Sequence, residues 1–313
     1  MAYAIGIDIG GTKIKVGVVS EQGEVVTTVQ LPAPVQEGPA AVLGTCLNAV
    51  RSLRQTVSVD IVGIGIASAG KIDANGVVTY STDTFRDWAG TRISESMKVA
   101  TGLPVITDND VNAAALAEAT LGAGSGFAST FMIALGTGVG GGWVEGGRIV
   151  HGAHGGAGEI GHLLYLAQGR SCPCGYAGCF EPYASVHALA TDYSLRRGIR
   201  GEGPNVMAGL RKREPLALEV VGIWIKTLEA LLFSVQNAYD PHCIVVGGGI
   251  IEEAELWWPM LVEQVRHLPM EIVMFPARLK SEAAMIGAAC LLFGTSEIEK
   301  RGAMLENNQV TKR

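Results

Sequence analysis

The chain has 313 residues, 48% of them hydrophobic, and a formal net charge of -6. This length suits two domains better than one core, and the acidic balance argues against the basic footprint of a nucleic-acid binder. No apolar run is long enough to span a membrane, and no basic, apolar, cleavable leader opens the sequence, so the cytoplasm is the expected compartment.

Taken in chain order, strand signals come first. Tyr3–Ile9, Ile14–Val19 and Val25–Leu31 are apolar and β-branched, and GGTK and EQGE turns separate them. A helix is expected over Ala40–Gln55, a strand over Ile61–Ala67, a helix over Ile93–Thr101, a strand over Pro104–Thr107 and a helix over Ala113–Leu121. The pattern then restarts. Thr130–Leu135, Gly142–Glu145 and Arg148–His151 read as three strands joined by glycine turns. Helices follow over Ser185–Leu195, Leu216–Tyr239, Ala254–His267 and Glu282–Leu292, with strands over Cys243–Val246 and Glu271–Phe275. Each half thus predicts an antiparallel meander extended by parallel strands, a duplicated α/β architecture with a cleft between domains. The expected division is a first lobe over residues 1–121, rejoined by the region 293–313, and a second lobe over residues 122–292.

Glycine is frequent, at 42 residues, which points to several ligand-binding turns. Asp8-Ile-Gly-Gly-Thr-Lys13 joins the first two strands. Gly10 and Gly11 can offer backbone N–H groups to an anion, Thr12 a hydroxyl and Lys13 a charge, while Asp8 can orient the hydration shell of Mg²⁺. The motif alone equally allows an ordinary hairpin with a solvated aspartate. Gly136-Thr137-Gly138 opens a second glycine turn at the equivalent place in the second half, which favours two phosphate loops. Gly247 and Gly248 follow another strand, where they either admit a nucleoside or end the strand. Two decoys are set aside. Gly65–Lys71 begins like a Walker A loop, but Ile72 stands where a magnesium-binding hydroxyl is needed. Gly136–Gly141 fits GxGxxG, but a hairpin follows it where a dinucleotide site requires a helix.

Six cysteines are present. Cys46, Cys243 and Cys290 sit in apolar stretches and read as core residues. Cys172, Cys174 and Cys179 cluster within eight positions, shortly after His162. Three thiolates and an imidazole make a tetrahedral set for Zn²⁺, and four protein ligands make it a structural ion. Asp108-Asn109-Asp110-Val111-Asn112 sits at a strand-to-helix junction. One of its acids can be a helix N-cap. It can equally supply a carboxylate base and amides that fix hydroxyl groups. Spacing alone leaves the two close.

Together, DIGGTKIKVGVV, DNDVNAAALAE, LGTGVGGG, GGAGEIGH, CPCGYAGCFEPYAS, IVVGGGI and AAMIGAA, in this order, resemble the ROK family of bacterial sugar kinases and repressors. The resemblance implies an actin-like, ribonuclease-H-type fold and ATP-dependent phosphorylation of the 6-hydroxyl of a hexose, with glucose first. N-acetylmannosamine, N-acetylglucosamine, fructose and allose are alternatives. It implies Asp110 as general base, and Gly70, Asn109, Glu159, His162 and Glu181 as sugar contacts, His162 also ligating zinc. Many relatives pair, so a homodimer is possible. Family repressors carry a DNA-binding segment ahead of the first glycine loop. That loop opens here at Asp8, so a repressor is a poor alternative. The family commonly has Pro-Gly where this chain has Ala69-Gly70, and an asparagine before the tryptophan matching Trp88 that Thr82–Asp87 lacks. Of the first pair only Gly70 carries over, and the missing asparagine, which in the family helps grip the sugar, leaves the sugar open.

Overall fold

Ile and Gly alternate along the first strands, and this sets the layering of the first unit. The computed structural model describes residues 1–293 apart from residues 83, 200–202 and 204. Strands β1 (Tyr3–Ile9), β2 (Lys13–Ser20) and β3 (Val25–Pro32) form the expected antiparallel meander. β4 (Ile61–Ser68) and β7 (Val105–Asn109) extend it in parallel, giving the order β3-β2-β1-β4-β7. Between these two strands lie the short hairpin β5 (Lys71–Ile72) and β6 (Val78–Tyr80) and helix α2 (Ile93–Thr101). Side chains alternate across a sheet. Ile5, Ile7, Ile9, Ile64 and Ile66 therefore face one way and pack on α1 (Pro39–Thr56) and α2. Gly6, Gly65 and Ala67 face the other way. A Cβ at Gly65 would run into the carbonyl oxygen of Ala288, and one at Gly6 into that of Met285. The bare backbone is what lets a helix over residues 283–293 lie against the sheet, beside α3 (Asp110–Thr120), in a contact of Ala67, Ala113 and Ala288.

The second unit is built on β8 (Ser129–Leu135), with β9 (Val139–Glu145) beside it and β11 (Cys243–Gly247) and β12 (Met274–Pro276) added in parallel. Phe131, Ile133 and Leu135 of β8 pack with Val221, Trp224, Leu228 and Val235 of α7 (Pro215–Tyr239). Trp257 of α8 (Ala254–Val265) meets Trp224 edge-on at 5.3 Å. The remaining helices are α4 (Glu181–Ala184), α5 (Val186–Arg196) and α6 (Val206–Arg211). Trp224 Nε1 donates to the Ala184 carbonyl at 2.7 Å, so the core helix pins the short α4. The expected strand over Glu271–Phe275 is shorter and later, because only Met274–Pro276 finds a partner on β11.

The chain divides into a first unit of Met1–Leu121, Val144–Ala157 and the segment from Glu282, and a second of Gly122–Trp143 and Gly158–Ser281. This differs from an uninterrupted second lobe over residues 122–292. Strand β10 (Arg148–Ile149) packs beside α3, and the 283–293 helix lies on the glycines of β1 and β4, so both segments count with the first unit. The region 293–313 expected to rejoin that unit lies, from residue 294, outside the described residues. Among the described residues no helix is long and apolar enough to cross a membrane.

Candidate active site

In the first unit, the candidate residues gather at the carboxyl ends of β1, β4 and β7. β7 runs to Asn109 and α3 starts at Asp110, three residues before the expected start at Ala113. The cap offered to one of the acids goes to the amide between them: Asn109 Oδ1 accepts from Val111 N at 2.9 Å and Asn112 N at 3.1 Å. Its Nδ2 donates to Gly70 O at 3.0 Å and to Asp110 Oδ1 at 2.9 Å. Asp110 is thereby the first helical residue, its carboxylate steered by a neighbouring amide and, through Oδ1, also accepting from Val111 N at 3.0 Å. Asp8, next to last in β1, lies at the same edge. Burial first, and then the Asp110 carboxylate, push it up to about 7, against a downward pull from Lys15. Lys15 lies across the β1–β2 ladder from Asp8 and pairs with Glu282 at 2.8 Å. The loop after β1 is tight: Gly10 N donates to Lys13 O at 3.0 Å, while Thr12 and Lys13 are exposed.

Sequence reasoning missed His151. The expected strand over Arg148–His151 stops at Ile149, and His151 leaves the ladder to place Nε2 2.6 Å from Asp108 Oδ2. That hydrogen bond raises the imidazole above its usual range, against the opposing effect of burial. A histidine at the end of a hairpin carries no signal of a partner 43 positions away.

In the second unit, β8 leads into Gly136-Thr137-Gly138 and β9 follows directly, as the rejection of a dinucleotide site required. Gly136 N donates to Gly138 O at 3.0 Å, and Thr137 is exposed. Gly247 ends β11, and Gly248, at φ 95°, lies so close to Leu135 that a Cβ there would strike its carbonyl oxygen. Glu181 is held by the phosphate-loop candidate itself, accepting from Val139 N at 3.0 Å.

The cysteine loop forms a cluster that fits a metal. The ligand atoms of His162, Cys172, Cys174 and Cys179 all lie within 4.8 Å of one another. Cys172 Sγ is 3.5 Å from His162 Nδ1, and Cys174 Sγ is 3.7 Å from Cys179 Sγ. Bonds of about 2.3 Å from a tetrahedral ion to sulfur imply edges of about 3.8 Å, so the donors stand at ligand spacing. Burial pushes the Cys172 thiol up to about 12 and raises Cys179, while hydrogen bonding from the Tyr176 backbone lowers Cys174. Gly178, at φ 91°, makes the loop possible, because a Cβ there would meet the Leu166 carbonyl oxygen. Backbone bonds from Cys172 N to Tyr176 O and from Phe180 N to Leu163 O close it. The second imidazole nitrogen of His162 lies 4.0 Å from Glu159 Oε2. Cys46, Cys243 and Cys290 are buried away from this cluster, as expected of core residues.

The same architecture occurs in known proteins. A glucokinase of Streptomyces coelicolor is 33% identical over 93% of this chain and 98% of its own. The crystal structure of a ROK hexokinase from Thermus thermophilus superposes with a TM-score of 0.82 at 33% identity, covering 92% of this chain and 97% of the other. A ROK glucokinase from Streptomyces griseus, solved with glucose and AMPPNP, gives 0.80 at 30% identity, over 93% and 99%. The fold is thus the actin-like one expected from the sequence. The ROK family profile matches residues 4–294, nearly the whole length, and the chain belongs to the ROK family.

Proposed function

We propose that this protein is an ATP-dependent sugar kinase that transfers the γ-phosphoryl group to the 6-hydroxyl of a hexose, with glucose the first candidate. The observation that carries the reading is the division of labour at the β7–α3 turn. Asn109 takes the cap and its amide steers the Asp110 carboxylate, so capping and the orientation of the acid fall to different side chains. A hexose hydroxyl is a poor nucleophile and must lose its proton as it attacks, and in this reading the Asp110 carboxylate accepts it. Asn109 Nδ2 and the Gly70 carbonyl, bonded to each other here, are polar groups that can exchange their contact for sugar hydroxyls. Asp8 would hold the hydration shell of Mg²⁺ on the nucleotide, and the loop N–H groups after Gly10 and Gly136 would receive phosphate oxygens. A coupled ADP-release assay over glucose, mannose, fructose, allose, N-acetylmannosamine and N-acetylglucosamine tests the reading. The highest kcat/KM is expected for glucose. Absence of turnover on the whole panel would sink the kinase, and preference for an N-acetylhexosamine would move the substrate.

His162, Cys172, Cys174 and Cys179 hold a structural zinc in this reading, supported by the donor set and its spacing. The ion would close the loop that delivers Glu181 to Val139 and His162 to Glu159. Elemental analysis of purified protein is expected to find near one zinc per chain, and a zinc-free preparation of full stability would refute it. Cys172→Ser is expected to lower the melting temperature by roughly 5 °C or more along with activity, since binding free energy of such a site is folding free energy.

A further inference from the structure

We infer that His151 is a positioning residue for the transfer reaction, holding the turn that carries Asn109 and Asp110 through the carboxylate of Asp108. The inference rests on the kinase reading of that turn. Asp108 is 6% exposed. Its Oδ1 accepts from the backbone N–H of Asn109 at 2.7 Å and from Asn112 Nδ2 at 3.0 Å, so it fastens both the strand end and the first turn of α3. Its Oδ2 faces His151 Nε2 at 2.6 Å. A carboxylate that ties two parts of a turn together positions them only while its own orientation is fixed, and the imidazole fixes it. The same residue works at its other end. The His151 carbonyl accepts from Ala157 N at 3.0 Å, closing the loop Gly152–Gly156. That loop lies along β5: the space a Cβ would take at Gly155 borders the Ile72 carbonyl, and that at Gly156 borders the Lys71 ammonium. β5 follows Gly70, whose carbonyl holds Asn109. His151 therefore joins the glycine strap and the β7–α3 turn into one assembly, all within the first unit. Nothing in the transfer chemistry requires the imidazole to touch sugar or nucleotide, so its effect runs through the placement of Asn109 and Asp110.

The test compares full-length parent, His151→Leu and His151→Gln, the glutamine keeping an N–H near the place of Nε2. His151→Leu is expected to raise the sugar KM and lower kcat, with a combined loss of about tenfold or more in kcat/KM, since small misplacements of reacting groups cost up to about 10²-fold. The KM for ATP stays within twofold, and the amide of Asn109 exchanges its hydrogen at least about tenfold faster. His151→Gln restores most of the sugar kcat/KM and the protection of Asn109. A leucine variant whose sugar kcat/KM and Asn109 exchange both match the parent overturns the inference. So does one that only melts earlier, with sugar KM and Asn109 exchange unchanged, because a purely structural histidine behaves that way. An inactive parent is a separate result: it removes the kinase reading and the positioning role with it, whereas an active parent with an indifferent leucine variant removes the positioning role alone.

Discussion

Asp110→Asn is expected to bind sugar within a few-fold of the parent and to lose at least about 10²-fold in turnover. The substitution is close to silent structurally. The helix cap belongs to Asn109, so it survives. An asparagine at 110 keeps an oxygen for the two donors that reach Oδ1, Asn109 Nδ2 and Val111 N. The helix loses one negative charge in its first turn, worth about 0.3–1 kcal/mol. A 10²-fold loss in rate corresponds to about 2.7 kcal/mol in the barrier, so chemistry outweighs stability and the two are separable. One secondary effect is foreseeable. Asp110 is among the groups that push Asp8 up to about 7, and its removal lets Asp8 ionise at lower pH. Comparing the two proteins near pH 8.5, where Asp8 is ionised in both, keeps that effect out of the ratio. Turnover within a few-fold of the parent there would strip Asp110 of the role of base.

The outline of the fold was legible wherever one face of an element is dictated by burial. β-branched runs marked β1, β2 and β3, and short turns between them made an antiparallel meander the economical reading. The long apolar stretch of α7 and the Gly-rich ends of β8 and β11 were legible for the same reason. What failed was decided either by which of several capable neighbours takes a local contact or by partners distant in sequence. α3 was expected from Ala113 because its alanines carry the apolar signal, but the helix begins where Asn109 caps it. Both Asn109 and its acidic neighbours cap well, so only coordinates show which one does. Helix α6 was overlooked although Asn205 announces it, bonding Met207 N and Ala208 N. Some glycines serve packing. Gly6 and Gly65 serve the close approach of the 283–293 helix, while Gly70, at φ 101°, borders the Tyr80 carbonyl of the β5–β6 hairpin, so the two glycines of the rejected Gly65–Lys71 pattern have separate packing reasons. In the site, the clustering of His162 with the three cysteines was readable from spacing because its members are local. The His151–Asp108 contact joins two segments 43 residues apart, and Glu181 reaches Val139 over 42, separations that no local pattern encodes.

Gly138→Val is expected to weaken ATP by about 10²-fold or more while the protein stays folded. The turn after β8 can serve phosphate oxygens only if its backbone is bare, and each hydrogen bond to a charged group that is lost costs about 1.5–3 kcal/mol, or roughly one to two factors of ten in affinity. The packing around Gly138 adds a second consequence. A Cβ at 138 would collide with the Glu181 carboxylate, which now accepts from Val139 N. Because the obstructed atom is the end of a flexible side chain, the collision displaces Glu181 and leaves the fold standing. Any loss of sugar affinity in Gly138→Val then reflects Glu181, and Glu181→Ala measures that share by itself. The phosphate-loop assignment requires Gly138→Val to lose at least about tenfold more ATP affinity than Glu181→Ala, measured by direct titration in the absence of sugar. Equal losses in the two variants would mean that the valine acts only by dislodging Glu181. The bare backbone at Gly138 would then serve the seating of that carboxylate, and the nucleotide phosphates would have to be held elsewhere.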